Sequence, residues 1–319
     1  MSQREVMFLG TASQAPTRYR NHNGLAVRWD EVTVLFDPGE NAQRQALLCG
    51  LSIRRLSAVC ITHFHGDHCL GLPGIIQRRS LEWRDAGRQA DPFPIYYPEE
   101  GDPYLQRLRT ASIFHDVSNT QPSPILAPTS GVGDAAADPI ELADLGPTAS
   151  LSCRALDHRV PTYGYRIDEP PQRHFNPEAL TDKGIQGPSV GELVRHGSIM
   201  TPDGTVGVDE VSFVRPGQSL AVVMDTRLCD AAFALADGVD MLVCESTYGD
   251  EHAALAAEYG HLTATQAATI ARDANARRLV LTHFSARYPD PEVLADEARL
   301  IFDDVIAAQD LAKVAVPTR

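Results

Sequence analysis

Three histidines and an aspartate fall within six positions, His63 to His68, in the stretch ITHFHGDHCLGLPG. The whole chain has 11 histidines in 319 residues, so ligand-type side chains are concentrated in this stretch. Neutral imidazole and carboxylate groups are good ligands for zinc. His63 and His65 alternate just past an apolar run and can point to one centre, whereas Asp67 and His68 lie one turn further on and can face a second. The cluster therefore predicts a metal site.

Further ligand-type residues follow three other strand-like runs. His158 follows CRALD, Asp225 follows AVVM and His283 follows LVLT. Sites in α/β sheets collect at the carboxyl ends of strands, so the sheet can bring these side chains to the first cluster. Taken alone, a histidine at a strand end is most often structural, and Asp225 has the alternative of capping the next helix. Taken together, seven ligands suffice for two metal ions if one carboxylate bridges, and paired metals commonly hydrolyse phosphate esters.

The segments that must position these ligands alternate in type. The predicted strands are REVMFLG, two runs within GLAVRWDEVTVLFDPG, then LSAVCIT, SLSCRALDH, TYGYRID, SLAVVMD, DMLVCEST and RRLVLTH. The predicted helices are ENAQRQALLCG, HCLGLPGIIQRRSL, LCDAAFALA, TATQAATIARDA and PEVLADEARLIFDDVIAAQ. Residues 117–139 are rich in Pro, Ser, Gly and Ala and predict a loop. Residues 169–216 predict an excursion from the core and not a second domain. The alternation indicates the α/β class.

Composition limits the class of protein. The hydrophobic fraction of 43% allows a buried core, and the net charge of -14 argues against indiscriminate binding of nucleic acid. No apolar run approaches the roughly 20 residues that span a bilayer. The N-terminal MSQREVMFLG lacks the apolar block of a secretory signal, so we expect a cytoplasmic protein with no membrane partner. Six scattered cysteines without a C-x-x-C pair predict reduced, buried thiols.

The motifs resemble those of a known family. THFHGDH is similar to the signature of the metallo-β-lactamase superfamily, and CLGLPGIIQ narrows the resemblance to ribonuclease Z, the tRNA 3′-end endonuclease family. The resemblance covers nearly the whole chain, is closest to the actinobacterial members, and includes FLGTASQAPTRYRNHNG, LFDPGE, LDHRVPTYGYR, GIQGPSVGELVRHG, MDTR, YGHLTATQAA and LTHFSARY. It implies one four-layer αββα sandwich over residues 1–319, with a projecting tRNA-binding arm inserted at about 169–216.

The resemblance also implies roles for individual residues. It places one zinc ion on His63, His65 and His158, a second on Asp67, His68 and His283, and Asp225 between the two; manganese is an alternative metal. Asp67 would also orient or deprotonate the attacking water. His261, in GHLTATQAA, would protonate the leaving 3′-oxygen, with Glu245 of CESTY as its acidic partner. The structural alternatives are a histidine that packs at a helix start and a buried acid paired with a neighbour.

The implied partners are precursor tRNA and a second copy of the chain, with one subunit's arm holding RNA for the other's site. Candidate RNA contacts, each of which is otherwise a solvated surface charge, are Arg18, Arg20, Arg173, Lys183, Arg195, Arg227 and Arg287. The arm departs from this expectation in charge, because residues 166–216 carry five Arg or Lys against eight Asp or Glu. Binding of tRNA by the arm therefore depends on backbone amides and three cations.

The preferred function is that of a zinc-dependent endoribonuclease that removes the 3′ trailer from precursor tRNA, leaving a 3′-hydroxyl on the tRNA and a 5′-phosphate on the trailer. One alternative is a small-molecule phosphodiesterase or sulfatase of the same superfamily, which has little need for a projecting arm. Another is a non-catalytic RNA-binding relative; such proteins often lose ligands, whereas this chain has all seven. A glyoxalase-like hydrolase shares the histidine cluster but not GIQGPSVGEL or GHLTATQAA.

Overall fold

Two compact units make up the chain. The computed structural model describes residues 3–87, 89–127, 132–135, 137–146 and 149–318. The larger unit comprises the chain up to Ile167 together with Ser219–Thr318, and the smaller unit is Asp168–Gln218. All seven predicted metal ligands belong to the larger unit.

Short strands and helices follow one another along the described residues. In chain order the strands are β1 Arg4–Gly10, β2 Gly24–Trp29, β3 Val32–Phe36, β4 Ala58–Cys60, β5 Phe93–Pro98, β6 Thr120–Ile125, β7 Ile140–Asp144, β8 Ser150–Leu156, β9 Thr162–Asp168, β10 Gln172–Phe175, β11 Ser198–Thr201, β12 Gly204–Gly207, β13 Ser212–Arg215, β14 Ser219–Val223, β15 Met241–Glu245, β16 Leu279–Thr282, β17 Val305–Ala307 and β18 Lys313–Ala315. The helices are α1 Ala42–Leu48, α2 Gly66–Cys69, α3 Leu72–Asp85, α4 Asp102–Arg109, α5 Pro177–Asp182, α6 Pro188–His196, α7 Asp230–Ala236, α8 Ala253–Tyr259, α9 Ala264–Asp273 and α10 Glu292–Arg299.

Two seven-stranded sheets form the larger unit. The first has the order β18-β1-β2-β3-β4-β5-β6 and the second the order β17-β16-β15-β14-β9-β8-β7. In the first sheet β1, β2 and β3 pair antiparallel, whereas β3, β4, β5 and β6 pair parallel. In the second sheet β14, β15, β16 and β17 pair parallel. Each sheet therefore has a parallel half whose carboxyl ends can supply a shared site.

Alternating side chains in the strands divide the larger unit into four layers. In β1, Val6 and Phe8 belong to a core that also contains Val222 and Val243 of the second sheet. Met7 and Leu9 face the other way, into a core shared with α1 and α3. A third core lies between the second sheet and helices α7, α9 and α10. This is the helix–sheet–sheet–helix arrangement, so the αββα fold predicted through the resemblance is confirmed.

The smaller unit has its own small core. Ile185, Leu193, Val206 and Val211 are buried together within Asp168–Gln218. Its strands form two antiparallel pairs, β10 with β13 and β11 with β12. Helix α5 begins because the Asn176 side chain accepts hydrogen bonds from the backbone N–H groups of residues 178 and 179. The segment that was predicted as an excursion is thus an ordered unit.

Two predicted elements are wrong. The helix predicted over PEVLADEARLIFDDVIAAQ ends at Arg299, and Val305–Ala307 is instead the strand β17. Its apolar residues fit either structure, and parallel pairing with β16 decides between them. The loop predicted over residues 117–139 contains β6, a parallel edge strand that tolerates Pro122 and Pro124. Residues 128–131 and 136 of that predicted loop lie outside the described residues.

The helix predicted over HCLGLPGIIQRRSL is divided in the structure into α2 and α3. The two strand runs within GLAVRWDEVTVLFDPG, the helix within ENAQRQALLCG and the free cysteines agree with the prediction. Residues Asp30 and Glu31 connect β2 to β3, and α1, at Ala42–Leu48, lies within the predicted segment ENAQRQALLCG. All six cysteines are free thiols, and every one except the half-buried Cys229 is buried. Among the residues described, none of the helices combines the length and apolar character needed to cross a membrane.

Candidate metal centre

The seven predicted ligands lie just past the ends of four strands. His63 follows the last residue of β4 by three positions, His158 and Asp225 follow β8 and β14 by two, and His283 comes directly after β16. Asp225 and His283 have positive φ angles of 36° and 62°, a region that is uncommon for residues other than glycine. Asp225 does not cap α7, because that helix begins at Asp230 with Cys229 before it.

The first group contains three imidazoles and one carboxylate. Ligand-type atoms of His63, His65, His158 and Asp225 all lie within 4.8 Å of one another. His63 Nε2 is 2.8 Å from His65 Nδ1 and 3.5 Å from Asp225 Oδ2, and His158 Nε2 is 3.9 Å from the same oxygen. These atoms therefore converge on one point beside Asp225 Oδ2.

The second group contains Asp67, His68 and His283, again within 4.8 Å. The two imidazole Nε2 atoms are 3.2 Å apart, and each lies 3.4 Å from Asp67 Oδ2. Asp225 presents its other oxygen, Oδ1, to this group, at 3.4 Å from His68 and 3.2 Å from His283. Asp225 thus stands between the two groups with one carboxylate oxygen toward each.

Two buried atoms of the centre have no hydrogen-bond partner among the described residues. These atoms are His158 Nε2 and Asp225 Oδ1, in residues that are 9% and 2% exposed. Leaving a buried polar atom unpaired is costly, so both positions indicate a partner supplied from outside the chain. Both atoms are metal-ligand types and point into the cluster. The donor set therefore fits a metal centre.

Four of the five histidines in the two groups are held through Nδ1, which leaves Nε2 toward the cluster. The Nδ1 partners are Thr62 Oγ1 at 3.0 Å for His63, Asp37 Oδ2 at 2.7 Å for His68, the Gly260 carbonyl at 2.7 Å for His158 and Thr247 Oγ1 at 2.9 Å for His283. His65 differs, because its Nδ1 faces the cluster. Such outer contacts fix the ring orientation and tautomer of a metal-binding imidazole.

Burial sets the protonation of the first group. It lowers the pKa of His63 well below its usual range and lowers the pKa of His65 and His158 as well. Desolvation disfavours the charged imidazolium, so these three rings are neutral near pH 7. A neutral imidazole has the free lone pair that a metal requires.

Carboxylates concentrate negative charge around the second group. Burial raises the pKa of Asp67, but His68 and His283 lower it well below the usual range. Burial also raises the pKa of Asp225, and the same two histidines lower it. Burial lowers the pKa of His68, yet the carboxylates of Asp225, Asp67 and Asp37 together raise it well above its ordinary value. A site with this much buried negative charge attracts cations.

His261 and Glu245 form a pair at the edge of the centre. His261 Nδ1 is 3.1 Å from Glu245 Oε1, and Thr247 Oγ1 donates a 2.6 Å hydrogen bond to Glu245 Oε2. Burial lowers the pKa of His261, but Glu245 and Asp225 outweigh it and raise the pKa to about 9. The imidazole therefore carries a proton at neutral pH. The helix predicted after His261 begins at Ala264 and is capped by the Thr263 side chain, so His261 lies before the helix.

A cavity of about 560 Å³ opens onto the centre. Its lining includes the ligands His65, Asp67, Asp225 and His283, together with His261. A larger cavity of about 900 Å³ contains no predicted site residue. Its lining includes Thr33 and Ser57, so it lies at the amino ends of β3 and β4, whereas the predicted ligands follow the carboxyl ends of their strands. We assign the chemistry to the smaller cavity because the convergent ligands lie there.

The predicted RNA-contact residues of the larger unit differ in exposure. Arg287 lines the cavity of the metal centre, and Arg18 is exposed on a neighbouring loop. Arg20 is 8% exposed and donates to the carbonyls of Ser285 and Pro289, so it is not available as a surface contact. Arg227 donates to the Asp157 carboxylate and the Ala257 carbonyl, which makes it a link between two segments.

The predicted RNA-contact residues of the smaller unit are each engaged within it. Arg173 pairs with Asp209 at 2.6 Å, Lys183 lies 3.5 Å from Glu210, and Arg195 Nε donates to the Gly191 carbonyl.

Several residues of the site were not predicted. Asp37 immediately follows β3, so the rule that found Asp225 and His283 applied to it as well. Thr247 and Gly260 hold ligands through a hydroxyl and a carbonyl, and residue type alone gives no signal for such roles. Arg159 and Tyr259 line the cavity, and the adjacency of Arg159 to His158 was an unused signal.

Comparison with known proteins agrees with this architecture. Residues 18–133 match the metallo-β-lactamase superfamily. A ribonuclease Z of Salinispora arenicola is 49% identical over 100% of this chain and 98% of its own length, and one of Nocardia farcinica is 48% identical over 100% of both. The crystal structure of human short-form tRNase Z superposes with a TM-score of 0.71 and 25% identity, over 98% of this chain and 100% of that chain. The chain therefore belongs to the ribonuclease Z family of the metallo-β-lactamase superfamily.

Proposed function

We propose that this chain is an endoribonuclease that removes the 3′ trailer from precursor tRNA. The hydrolytic chemistry is supported by one observation above all, the two oxygens of Asp225 directed toward two separate ligand groups. The substrate is supported by full-length similarity to proteins named ribonuclease Z and by the human tRNase Z structure. The expected products are tRNA with a 3′-hydroxyl and a trailer with a 5′-phosphate.

We propose zinc as the metal, with two ions per chain. His63, His65 and His158 would hold one ion, Asp67, His68 and His283 the other, and Asp225 would contact both. Histidine and carboxylate ligands suit zinc, although manganese is an alternative. When bound, such a pair of ions would stabilise the charge on the phosphate and activate water. Elemental analysis of the purified protein should find two equivalents of zinc, and a single equivalent would contradict the two-ion assignment.

The chain's own groups supply the proton transfers. His261 Nδ1 faces Glu245, so His261 Nε2 is free to give a proton to the leaving 3′-oxygen of the tRNA. Glu245 is fully buried and also accepts from the Thr226 backbone N–H, which holds its carboxylate in place. Asp67 remains a carboxylate because two histidines lower its pKa, and it would orient or deprotonate the attacking water.

The test is cleavage of precursor tRNAs with and without an encoded CCA end, with the cut positions mapped. We expect one cut at the 3′ side of the tRNA body and a 5′-phosphate on the released trailer. A metal-loaded preparation that leaves every trailer uncut would contradict the proposal.

A small-molecule phosphodiesterase is the main alternative, and the smaller unit distinguishes the two. The Glu169 N–H donates to the Gln218 carbonyl, so the two ends of the unit meet and a short linker can replace it. We expect such a deletion to abolish tRNA cleavage while a small chromogenic diester is still hydrolysed. Equal loss of both activities would count against a role of this unit in holding tRNA.

The homodimer and the cytoplasmic location remain predictions from the sequence. We propose the dimer because it would let one subunit's smaller unit hold RNA for the other's centre. Sedimentation of the purified protein at micromolar concentration tests it, and a monomer that cleaves precursor tRNA at full rate would contradict it.

A further inference from the structure

The cavity of the metal centre has two arginines in its lining, as far as the described residues show. One is Arg287, and the other is Arg159. Arg159 directly follows His158 in the sequence and is exposed. Its guanidinium carbon lies 5.5 Å from the centre of the Tyr259 ring, and Tyr259 also lines the cavity. Among the described carboxylates, none lies within ion-pair distance of Arg159. This guanidinium thus has an aromatic support and an uncompensated charge beside the reaction site.

Two contacts link the loop that carries Arg159 to the end of helix α8 that carries Tyr259. The ring of His158 contacts the Gly260 carbonyl at 2.7 Å, which links the residues next to Arg159 and Tyr259. Arg227 makes a second link, since it donates to Asp157 at 3.1 Å and to the Ala257 carbonyl at 3.2 Å. The loop after β8 and the end of α8 are therefore linked by two contacts, which hold the backbone of Arg159 close to that of Tyr259 before a ligand arrives.

The chemistry of the pair suits a phosphate. A guanidinium binds phosphate through two parallel N–H donors, and stacking on an aromatic face leaves those edges free. Tyr259 is 38% exposed. Arg159 adjoins His158, whose ring centre is 5.3 Å from that of His261, so the pair lies near the proposed leaving-group acid. The leaving oxygen belongs to the retained tRNA. A phosphate held by Arg159 would accordingly lie in the retained strand.

We propose that Arg159, supported by Tyr259, binds the phosphate immediately 5′ of the last retained nucleotide and is a specificity-determining residue. The inference rests on the proposed function, because it assigns a contact to an RNA substrate of that same site. Arg159 selects a polynucleotide over a small diester, since a small diester has no second phosphate to offer. Arg159 contributes to substrate binding and has no part in binding the metal ions, which the seven proposed ligands would hold.

Steady-state cleavage of a trailer-bearing precursor tRNA tests whether Arg159 contributes to binding of the RNA. Arg159→Ala should raise KM for the RNA by about tenfold or more, as expected for loss of a charge-assisted hydrogen bond. The ratio of RNA to small-diester activity should fall by a similar factor. Tyr259→Leu should give a smaller loss of roughly threefold, the scale of a cation–π contact. Arg84→Ala, at an exposed arginine of α3, is the matched control and should match the wild type.

A double-mutant cycle tests the assignment to one phosphate. The substrate carries an uncharged methylphosphonate at one of two positions. The first is the phosphate 5′ of the last retained nucleotide, and the second is the phosphate between the first two nucleotides of the trailer. The retained-side replacement should weaken wild-type binding by about tenfold and Arg159→Ala binding hardly at all. Additive effects at that position would overturn the proposal, as would coupling at the trailer position instead. Arg159→Lys, which keeps the charge but not the paired donors, should fall between the wild type and Arg159→Ala.

The controls separate this inference from the proposed function. If the wild type fails to cleave any precursor tRNA, the proposed function has failed. If the wild type cleaves and Arg159→Ala cleaves with the same KM, the present inference alone has failed. If Arg159→Ala loses zinc or loses both activities equally, Arg159 instead positions His158, which also overturns the proposal.

Discussion

The metal centre and the smaller unit differ in how deeply their side chains are buried and in how their charges are paired. The ligands of the centre lie at strand ends of two packed sheets, and most of their side chains are almost fully buried. In the smaller unit, the core has four buried residues, and Phe213, Val214 and Met200 remain more than half exposed. The centre holds its charges in fixed contacts with one another, whereas the smaller unit carries more acidic than basic residues on an open surface.

The difference shows which functional assignments each region can support. A buried cluster of ligands with two unpartnered atoms admits few explanations, because burying such groups without a partner is costly. Exposed charges are common on any protein and pair with neighbours at little gain or cost. Geometry therefore supports the hydrolytic chemistry directly. Recognition of tRNA by the smaller unit is a prediction that has to be tested by experiments with the RNA substrate.

Removal of the shared carboxylate should have the largest effect. Asp225→Ala should reduce cleavage of RNA and of a small diester by more than roughly 10⁴-fold, beyond what a single proton-transfer residue contributes. Bound zinc should fall with it, because both groups lose a ligand. Activity assays and elemental analysis check this. Asp230→Asn, an exposed carboxylate five residues on, is the control, and a fully active Asp225→Ala would refute the centre.

Removal of the proposed acid should leave the metals in place. His261→Ala should lower kcat for precursor tRNA by roughly 10²–10⁴-fold, the range for general acid catalysis. Zinc content should stay at the wild-type level, since His261 is not among the seven ligands. His115→Ala, at an exposed histidine, is the matched control. Loss of zinc from His261→Ala would assign this residue to the metal centre instead.

Alanine at Gly260 and at Gly238 should distinguish the loss of the His158 contact from the cost of a positive φ angle. Gly260 has a φ of 77°, and a Cβ there would lie 2.8 Å from His158 Nδ1; Gly238 has a φ of 61° with open space around it. Alanine at either position should cost roughly 1–2 kcal/mol in the free energy of unfolding. Gly260→Ala should in addition weaken zinc binding about 10- to 100-fold, because it displaces a ligand's support. Chelator competition measures this, and equal zinc affinity in both variants would contradict the role of Gly260.

The smallest effect is expected in the smaller unit. Arg173, Lys183 and Arg195 already contact groups of their own unit, so replacing all three by alanine should raise KM for tRNA less than about threefold. Arg287→Ala, in the cavity, is the comparison and should raise KM more. A tenfold rise in the triple variant, with a shallower salt dependence, would show that these cations bind phosphates.

The sequence predicted the centre better than the elements around it. Strands that end in His or Asp predicted four of the seven proposed ligands, because such an end has a fixed direction in a sheet, and the cluster at His63–His68 predicted the other three. The structure brings all seven side chains into two adjoining groups. The same rule applied to Asp37, which went unassigned. The strand β17 was mistaken for the end of a helix, since its short apolar run gains strand structure through pairing with β16.

The exposure of charged residues was the least predictable property. Arg20 and Arg227 were predicted as RNA contacts from their position near motifs, yet one is buried and the other links two segments. An arginine has the same sequence signature whether its guanidinium meets water, a carbonyl or an aromatic ring. Only the folded chain distinguishes Arg159 on Tyr259 from Arg20 on Ser285.

The pairing of the last strand with the first has a consequence for synthesis of the protein. β18 lies beside β1, and the Thr11 hydroxyl donates to the Asp310 carboxylate, 299 positions later. The first sheet therefore lacks this edge strand until Lys313–Ala315 has been made, and His283 is made 220 residues after His63. At 5–20 residues per second this interval is about 10 to 40 seconds. A growing chain on the ribosome accordingly cannot complete the second ligand group until His283 has been made and has left the ribosome.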